Sequence, residues 1–165
     1  MKIGTISRML SVVLCAAALC MLGLSSRADD SLSGFIGTWA LNVDKSTFDP
    51  GPPMKSHKMT VSDAGNGALH FSADMVEGDG TARHFELTSA ADGKEVPVTG
   101  FTGYADSAVI TTRRPRSFHI VFKNAGKPVE WDTFHLSKDS KRIYGRLAGN
   151  DNGTHWKYHW VQERQ

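Results

Sequence analysis

Phe35-Ile-Gly-Thr-Trp-Ala-Leu-Asn-Val-Asp-Lys-Ser-Thr-Phe-Asp-Pro-Gly-Pro-Pro-Met-Lys-Ser56 is the stretch whose reading decides the fold. It reads as an apolar lead-in, a short opening strand, and a crossing stiffened by Pro50, Pro52 and Pro53 that delivers the chain to a second strand. Outward from it the sequence keeps one grammar, short strands punctuated by turns, with almost nothing at helical spacing. The punctuation includes Asn66-Gly67, Glu77-Gly78-Asp79-Gly80, Asp92-Gly93, Ala125-Gly126 and Asp139-Ser140, rich in the residues that tolerate positive φ in tight hairpins.

Alternation assigns a face to each strand. Leu69, Phe71, Ala73 and Met75 share one side while His70, Ser72 and Asp74 share the other. Phe85 and Leu87 alternate with His84, Glu86 and Thr88, and Phe118, Ile120 and Phe122 alternate with His119, Val121 and Lys123. At the C-terminus Trp156, Tyr158 and Trp160 oppose His155, Lys157 and His159. One apolar face in strand after strand implies a continuous core. The segment 129–136 departs from this, because Val129 and Trp131 have one parity and Phe134 and Leu136 the other; a bulge near Asp132 and Thr133 reconciles them. The chain is therefore expected to be all-β, an antiparallel up-and-down barrel of about eight to ten strands. Bulky aromatic residues mixed inside with Ala73, Gly145 and Thr133 permit either a cavity or a packed interior.

Gly37-Thr38-Trp39 resembles the signature opening the first strand of lipocalin-type barrels, in which the glycine lets the chain turn in tightly and the indole plugs the closed end. With Ala40-Leu41-Asn42, Lys45-Ser46, Phe48, Pro50-Gly51-Pro52 and Lys55-Ser56, and later Asp92-Gly93-Lys94-Glu95-Val96-Pro97-Val98-Thr99-Gly100, the chain resembles a family of small secreted bacterial lipocalin-like, calycin-type β-barrel proteins. The matched pieces cover less than half of the chain. It departs from typical lipocalins in lacking their later threonine-aspartate-tyrosine turn and any disulfide. The resemblance implies a barrel whose Trp39 strand pairs with the C-terminal strand.

Residues 1–28 read as a secretory signal peptide: Lys2 and Arg8, an uncharged apolar run over 9–24, then small residues at Ser26 and Ala28 before a cut. The run is shorter than the roughly 20 residues a spanning helix needs. Leu19 stands where a lipoprotein site at Cys20 would want a small residue. Removing 28 of the 165 residues leaves 137, one domain over residues 29–165. Both cysteines, Cys15 and Cys20, leave with the leader, so the mature chain is held by its core even in an oxidising periplasmic or extracellular compartment. Lys2, Arg8 and Arg27 leave too, so 16 of the 19 basic residues face 17 acidic ones and the net charge becomes −1. The precursor's basic charge therefore makes no case for nucleic acid, and none for a membrane anchor after cleavage.

Motifs for chemistry are sparse. The seven histidines, His57, His70, His84, His119, His135, His155 and His159, show no metal-ligand spacing, and most sit on polar strand faces. No metal and no cofactor is expected. There is no Gly-x-Ser-x-Gly elbow and no phosphate-cradling loop. Arg113-Arg114-Pro115-Arg116 reads as a solvated hairpin loop guarded against edge pairing by charge and proline, with docking of an acidic group as its functional alternative. Asn152-Gly153-Thr154 fits a glycosylation pattern and equally a tight turn.

What remains is aromatic. Small-molecule pockets are lined chiefly by apolar and aromatic side chains. Trp156, Tyr158, Trp160 and Trp131, with Phe71, Met75 and Phe122, are the candidate ligand-binding residues. The leading functional expectation is an exported protein that binds or carries a small apolar or amphipathic molecule in a barrel calyx. The alternative is an envelope protein-interaction module around a filled barrel. A third reading, an enzyme with a buried base, has His135 as its candidate if no bulge intervenes and the parity of Trp131 points inward.

Overall fold

The computed structural model describes residues 32–151 and 153–165. The expected leader and Asn152 lie outside them. The strands are β1 (Gly37–Leu41), β2 (Thr47–Asp49), β3 (Ser56–Gly65), β4 (Ala68–Val76), β5 (Ala82–Ser89) and β6 (Asp92–Pro97). After these come β7 (Ser107–Arg114), β8 (Ser117–Asn124), β9 (Lys127–Leu136), β10 (Arg142–Asp151) and β11 (Thr154–Arg164).

Among the described residues the strands form one antiparallel sheet in the order β5-β4-β3-β1-β11-β10-β9-β8-β7-β6, with the short β2 beside β11. The sheet curls until its two ends, β5 and β6, meet at a single bridge between Glu86 and Thr99, which exchange two backbone hydrogen bonds of 2.9 Å. The result is a nearly closed up-and-down barrel. The first strand joins the last, with Trp39 opposite Arg164, as the opening stretch implied.

Turn chemistry sets the register. Asn66 and Gly67 take φ of 53° and 75°, and Ala125 and Gly126 take 50° and 76°, paired positive values whose twist suits two-residue hairpins. The reversal expected at Asp92-Gly93 falls just before it. Ala91 carries the positive φ of 52°, its amide donates to Ser89 Oγ at 3.0 Å, and Asp92 and Gly93 open β6, where the register shifts. The arginine-rich turn is also more than a solvated loop. Arg116 is half-buried, and its guanidinium donates to the Leu136 and Ser137 carbonyls and to Ser140 Oγ, bracing the neighbouring β9–β10 hairpin.

The apolar faces expected for β4, β5 and β8 are the buried ones. The expected bulge in β9 is not at Asp132 and Thr133. The strand alternates without interruption from Glu130 to Leu136, burying Glu130, Asp132, Phe134 and Leu136, and the register against β8 shifts earlier, between Phe122 and Lys123. Thr133 consequently faces out, where its hydroxyl meets His119 Nδ1 at 2.9 Å, and it takes no part in the interior. His135 is exposed on that same outer face.

Packing divides the interior into two ends. At the closed end Phe118 packs edge-on against Phe35 with centroids 4.7 Å apart and lies 5.1 Å from Phe134, while Trp39 is completely buried. The Trp39 indole donates to the Phe35 carbonyl at 2.7 Å, and the Arg164 guanidinium lies 4.1 Å from the Trp39 ring centroid. The same guanidinium donates to the carbonyls of Gly34, Ile36 and Ser140 at 2.7–2.8 Å, tying the chain's lead-in and the β9–β10 turn to the end of β11. Gly37 is required here: its φ is 136°, and a Cβ would stand 2.4 Å from Arg164 Nη1.

Candidate functional site

At the other end the barrel holds a cavity of about 430 Å³. Strand geometry explains who lines it. In antiparallel strands every second residue points inward, so β11 contributes Trp156, Tyr158 and Trp160, β4 contributes Phe71 and Met75, and β8 contributes Ile120 and Phe122. Six of the seven residues expected to bind a ligand are thus brought to one space. The seventh, Trp131, is not: it is 49 % exposed on the outer face of β9, flanked in register by Val121 and Ala148. With no bulge at Asp132 and Thr133 to bring it onto the side of Phe134 and Leu136, its parity is the outward one.

Room for the aromatic wall comes from glycine. Gly149 lies opposite Trp156 on the neighbouring strand, and a Cβ there would stand 2.4 Å from the indole. The Trp156 and Tyr158 rings stack at 4.6 Å, and Phe48 of β2 meets Tyr158 at 5.0 Å. Across the cavity Phe85, Phe101 and Tyr104 form a second aromatic group, with centroid separations of 5.2 and 4.7 Å. The proline crossing roofs one side. Pro52 packs so closely on the β4–β5 turn that a Cβ at Gly78 would stand 2.6 Å from Pro52 Cγ. The cavity reaches the surface between Pro50, Gly51, Pro52, Asp79 and Thr154, all of them exposed.

The interior also carries polar groups that alternation of apolar residues did not reveal. Glu130 and Asp132, both inward on β9, are 8 % and 4 % exposed and line the cavity. Burial pushes the Glu130 carboxyl up to about 7, against the opposing effect of hydrogen bonds to Tyr104 and Asp132. Burial, then the neighbouring Glu130 charge, holds the Asp132 carboxyl well above its ordinary range. The pair shares a hydrogen bond, which needs a proton between two acceptors. His57 of β3, also buried in the lining, is held down at about 4 by burial, and its Nδ1 sits 2.9 Å from Gln162 Nε2. The Gln162 amide donates, so His57 is neutral with its hydrogen on Nε2. Its ring lies 4.7 Å from that of Trp160.

Three of these buried groups are incompletely met. Among the described residues, and apart from the hydrogen bond within the carboxyl pair, none meets Asp132 Oδ1, Trp160 Nε1 or Gln162 Oε1. An unmet buried polar group costs roughly 1–3 kcal/mol. Polar groups do therefore face inward, and His135, the candidate base from sequence, is not among them. The signal that could have found Glu130 and Asp132 was the unbroken parity they share with Phe134 and Leu136.

Chemically, the arrangement is a water-accessible apolar chamber with a partly polar floor and wall. Its volume falls within the roughly 300–1,000 Å³ of small-molecule pockets.

No family model and no curated protein matches the chain. Solved structures do. The zebrafish ileal bile acid-binding protein complexed with cholic acid superposes with a TM-score of 0.51 at 11 % identity, over 81 % of this chain and all of that one. EF1p2_mFAP2b bound to DFHBI gives 0.49 at 11 % identity, over 84 % of this chain and 99 % of that one. The siderocalin Ex-FABP gives 0.37 at 13 % identity, over 81 % of this chain and 75 % of that one. With the strand order above, the likeness to the zebrafish protein establishes the fold as a calycin-type, nearly closed antiparallel β-barrel.

Proposed function

We propose that this protein is exported and binds a small apolar or amphipathic molecule inside its barrel. The observation that carries the reading is the cavity of about 430 Å³ walled by Trp156, Tyr158, Trp160, Phe71, Met75 and Phe122. Removing apolar surface from water yields roughly 25 cal/mol per Å², so a ligand that fills such a chamber gains affinity without needing a charged anchor. A barrel of this fold in the zebrafish protein is complexed with cholic acid, which supports the chamber as a ligand site. The alternative of an interaction module requires a filled interior, and the cavity weighs against it. Export rests on the basic start, apolar run and small-residue cut site of residues 1–28.

One preparation tests both parts. Protein expressed with its own leader and recovered from the exported fraction should begin at Asp29 by intact mass. Titration with apolar and amphipathic compounds should change its tryptophan emission, because Trp156 and Trp160 line the chamber. Trp156→Ala, a half-buried position, should weaken binding while leaving the barrel folded. Retained leader in the membrane fraction would refute export. Unmoved emission across a broad panel, with no small molecule in native mass spectra, would refute binding.

A further inference from the structure

The cavity's charge is one-sided. Its lining includes four carboxyl groups, Glu130 and Asp132 from β9, with Glu77 and Asp79 from the β4–β5 turn. Against them stands a single permanently cationic side chain among the described lining residues, Arg83 of β5. Arg83 is engaged at the rim, its Nε 3.5 Å from Glu77 Oε1 and its guanidinium 5.9 Å from the Tyr104 ring centroid. His57 supplies no charge, being neutral and bonded to Gln162. The remaining ionisable groups facing the carboxyl pair are Tyr104, which hydrogen-bonds Glu130, and Tyr158, whose hydroxyl feels both Glu77 and Glu130. Among the described residues no buried cation is therefore available to Glu130 and Asp132.

Two further observations point to a ligand. Apart from the hydrogen bond within the carboxyl pair, no N–H or hydroxyl of the described residues meets Asp132 Oδ1, although Asp132 is 4 % exposed. The carboxyl pair also shares its chamber with aromatic rings, among them Trp156, Tyr158, Trp160, Phe101 and Tyr104. Ring faces attract a desolvated cation, and carboxylates beside them complete a cationic site. We propose that the chamber selects an apolar molecule bearing a protonated amine, inserted nitrogen first so that the ammonium donates to Glu130 and Asp132 while its skeleton lies against the aromatic walls. This rests on the binding function proposed above and names its ligand class. Trp160 Nε1, a donor without a partner among the described residues, would take an oxygen carried near the nitrogen. A carboxylate placed at the same depth would face two carboxyl groups and no cation.

Decylamine, decanol and decanoate share one chain length and differ in the head group, and the chamber has room for roughly fourteen water-sized groups at about 30 Å³ each. Titrated calorimetrically at micromolar concentrations on the full mature protein, decylamine should bind about tenfold or more tighter than decanol, with decanoate the weakest. The amine-to-alcohol ratio should grow from pH 5 to pH 8, as Glu130, which titrates at about 7, gives up its proton while the amine keeps its own. Glu130→Gln and, separately, Asp132→Asn should shrink that ratio without abolishing decanol binding. If decanol equals decylamine, if decanoate binds best, or if the ratio is flat with pH in the wild type, the amine selectivity is wrong and the chamber is a neutral apolar site. If none of the three binds, the binding function itself fails. The wild-type series decides the matter even if a variant does not fold.

Discussion

Trp39 and Arg164 form one unit at the closed end, the indole filling the space and the guanidinium covering its face while bonding three carbonyls. Trp39→Ala should cost about 3–5 kcal/mol in denaturant melts, the range for truncating large buried aromatics, and a loss below about 1 kcal/mol would mean the indole is no plug. At the other end buried titratable groups set the response to pH. Glu130 has its folded-state value raised from 4.5 to about 7, so between those limits the native state holds a proton that the unfolded chain has released. Stability therefore falls as pH rises through that window. His57 acts in the opposite sense, because its value is lowered from 6.5 to about 4 and stability is lost as pH falls across that interval. The two slopes oppose each other in wild-type protein. Glu130→Gln removes one of them, so the variant should gain on wild type between pH 5 and pH 8 in urea melts. An equal difference at both pH values would contradict the buried, proton-holding carboxyl.

At the scale of elements, β9 shows how one parity decision governs a site. Its interior row is Glu130, Asp132, Phe134 and Leu136 and its outer row is Trp131, Thr133 and His135. A one-residue slip exchanges the two rows completely. Hydrophobicity favoured the wrong row at Trp131, and the hairpin decided against it. The turn at Ala125-Gly126 fixes Asn124 opposite Lys127, and the register irregularity is taken up immediately after it, before Glu130 meets Phe122. That turn holds a weak point, since Ala125 sits at φ 50°, where a Cβ is disfavoured by roughly 1–2 kcal/mol. Ala125→Asn, which tolerates the left-handed region, should raise stability by up to about 1 kcal/mol, read as a higher denaturation midpoint with unchanged slope. A lower midpoint would show that the turn does not hold this conformation in solution.

For the whole molecule, the barrel separates a packed end from a cavity along its axis. The closed end is packed by Phe35, Trp39, Phe118 and Phe134, whereas the open end keeps a cavity between the aromatic wall of β11 and the group around Phe101. A Trp39→Ala protein that still folds should accordingly keep its ligand affinity. The antiparallel order, most of the turn sites and the inward faces of β4, β5, β8 and β11 were legible from sequence by itself, because a period of two and residues suited to positive φ are local properties of the chain. The pairing of β1 with β11 was legible only through the resemblance of the opening stretch. What only the tertiary structure decided was whether the interior is empty, where Glu130 and Asp132 point, and which arginine covers Trp39. Each depends on groups far apart in sequence: Gly149 making room for Trp156, the register of β9 against β8, and the return of residue 164 to residues 34–39. Volume, register and long-range charge are set by which strands meet, and no local pattern encodes them.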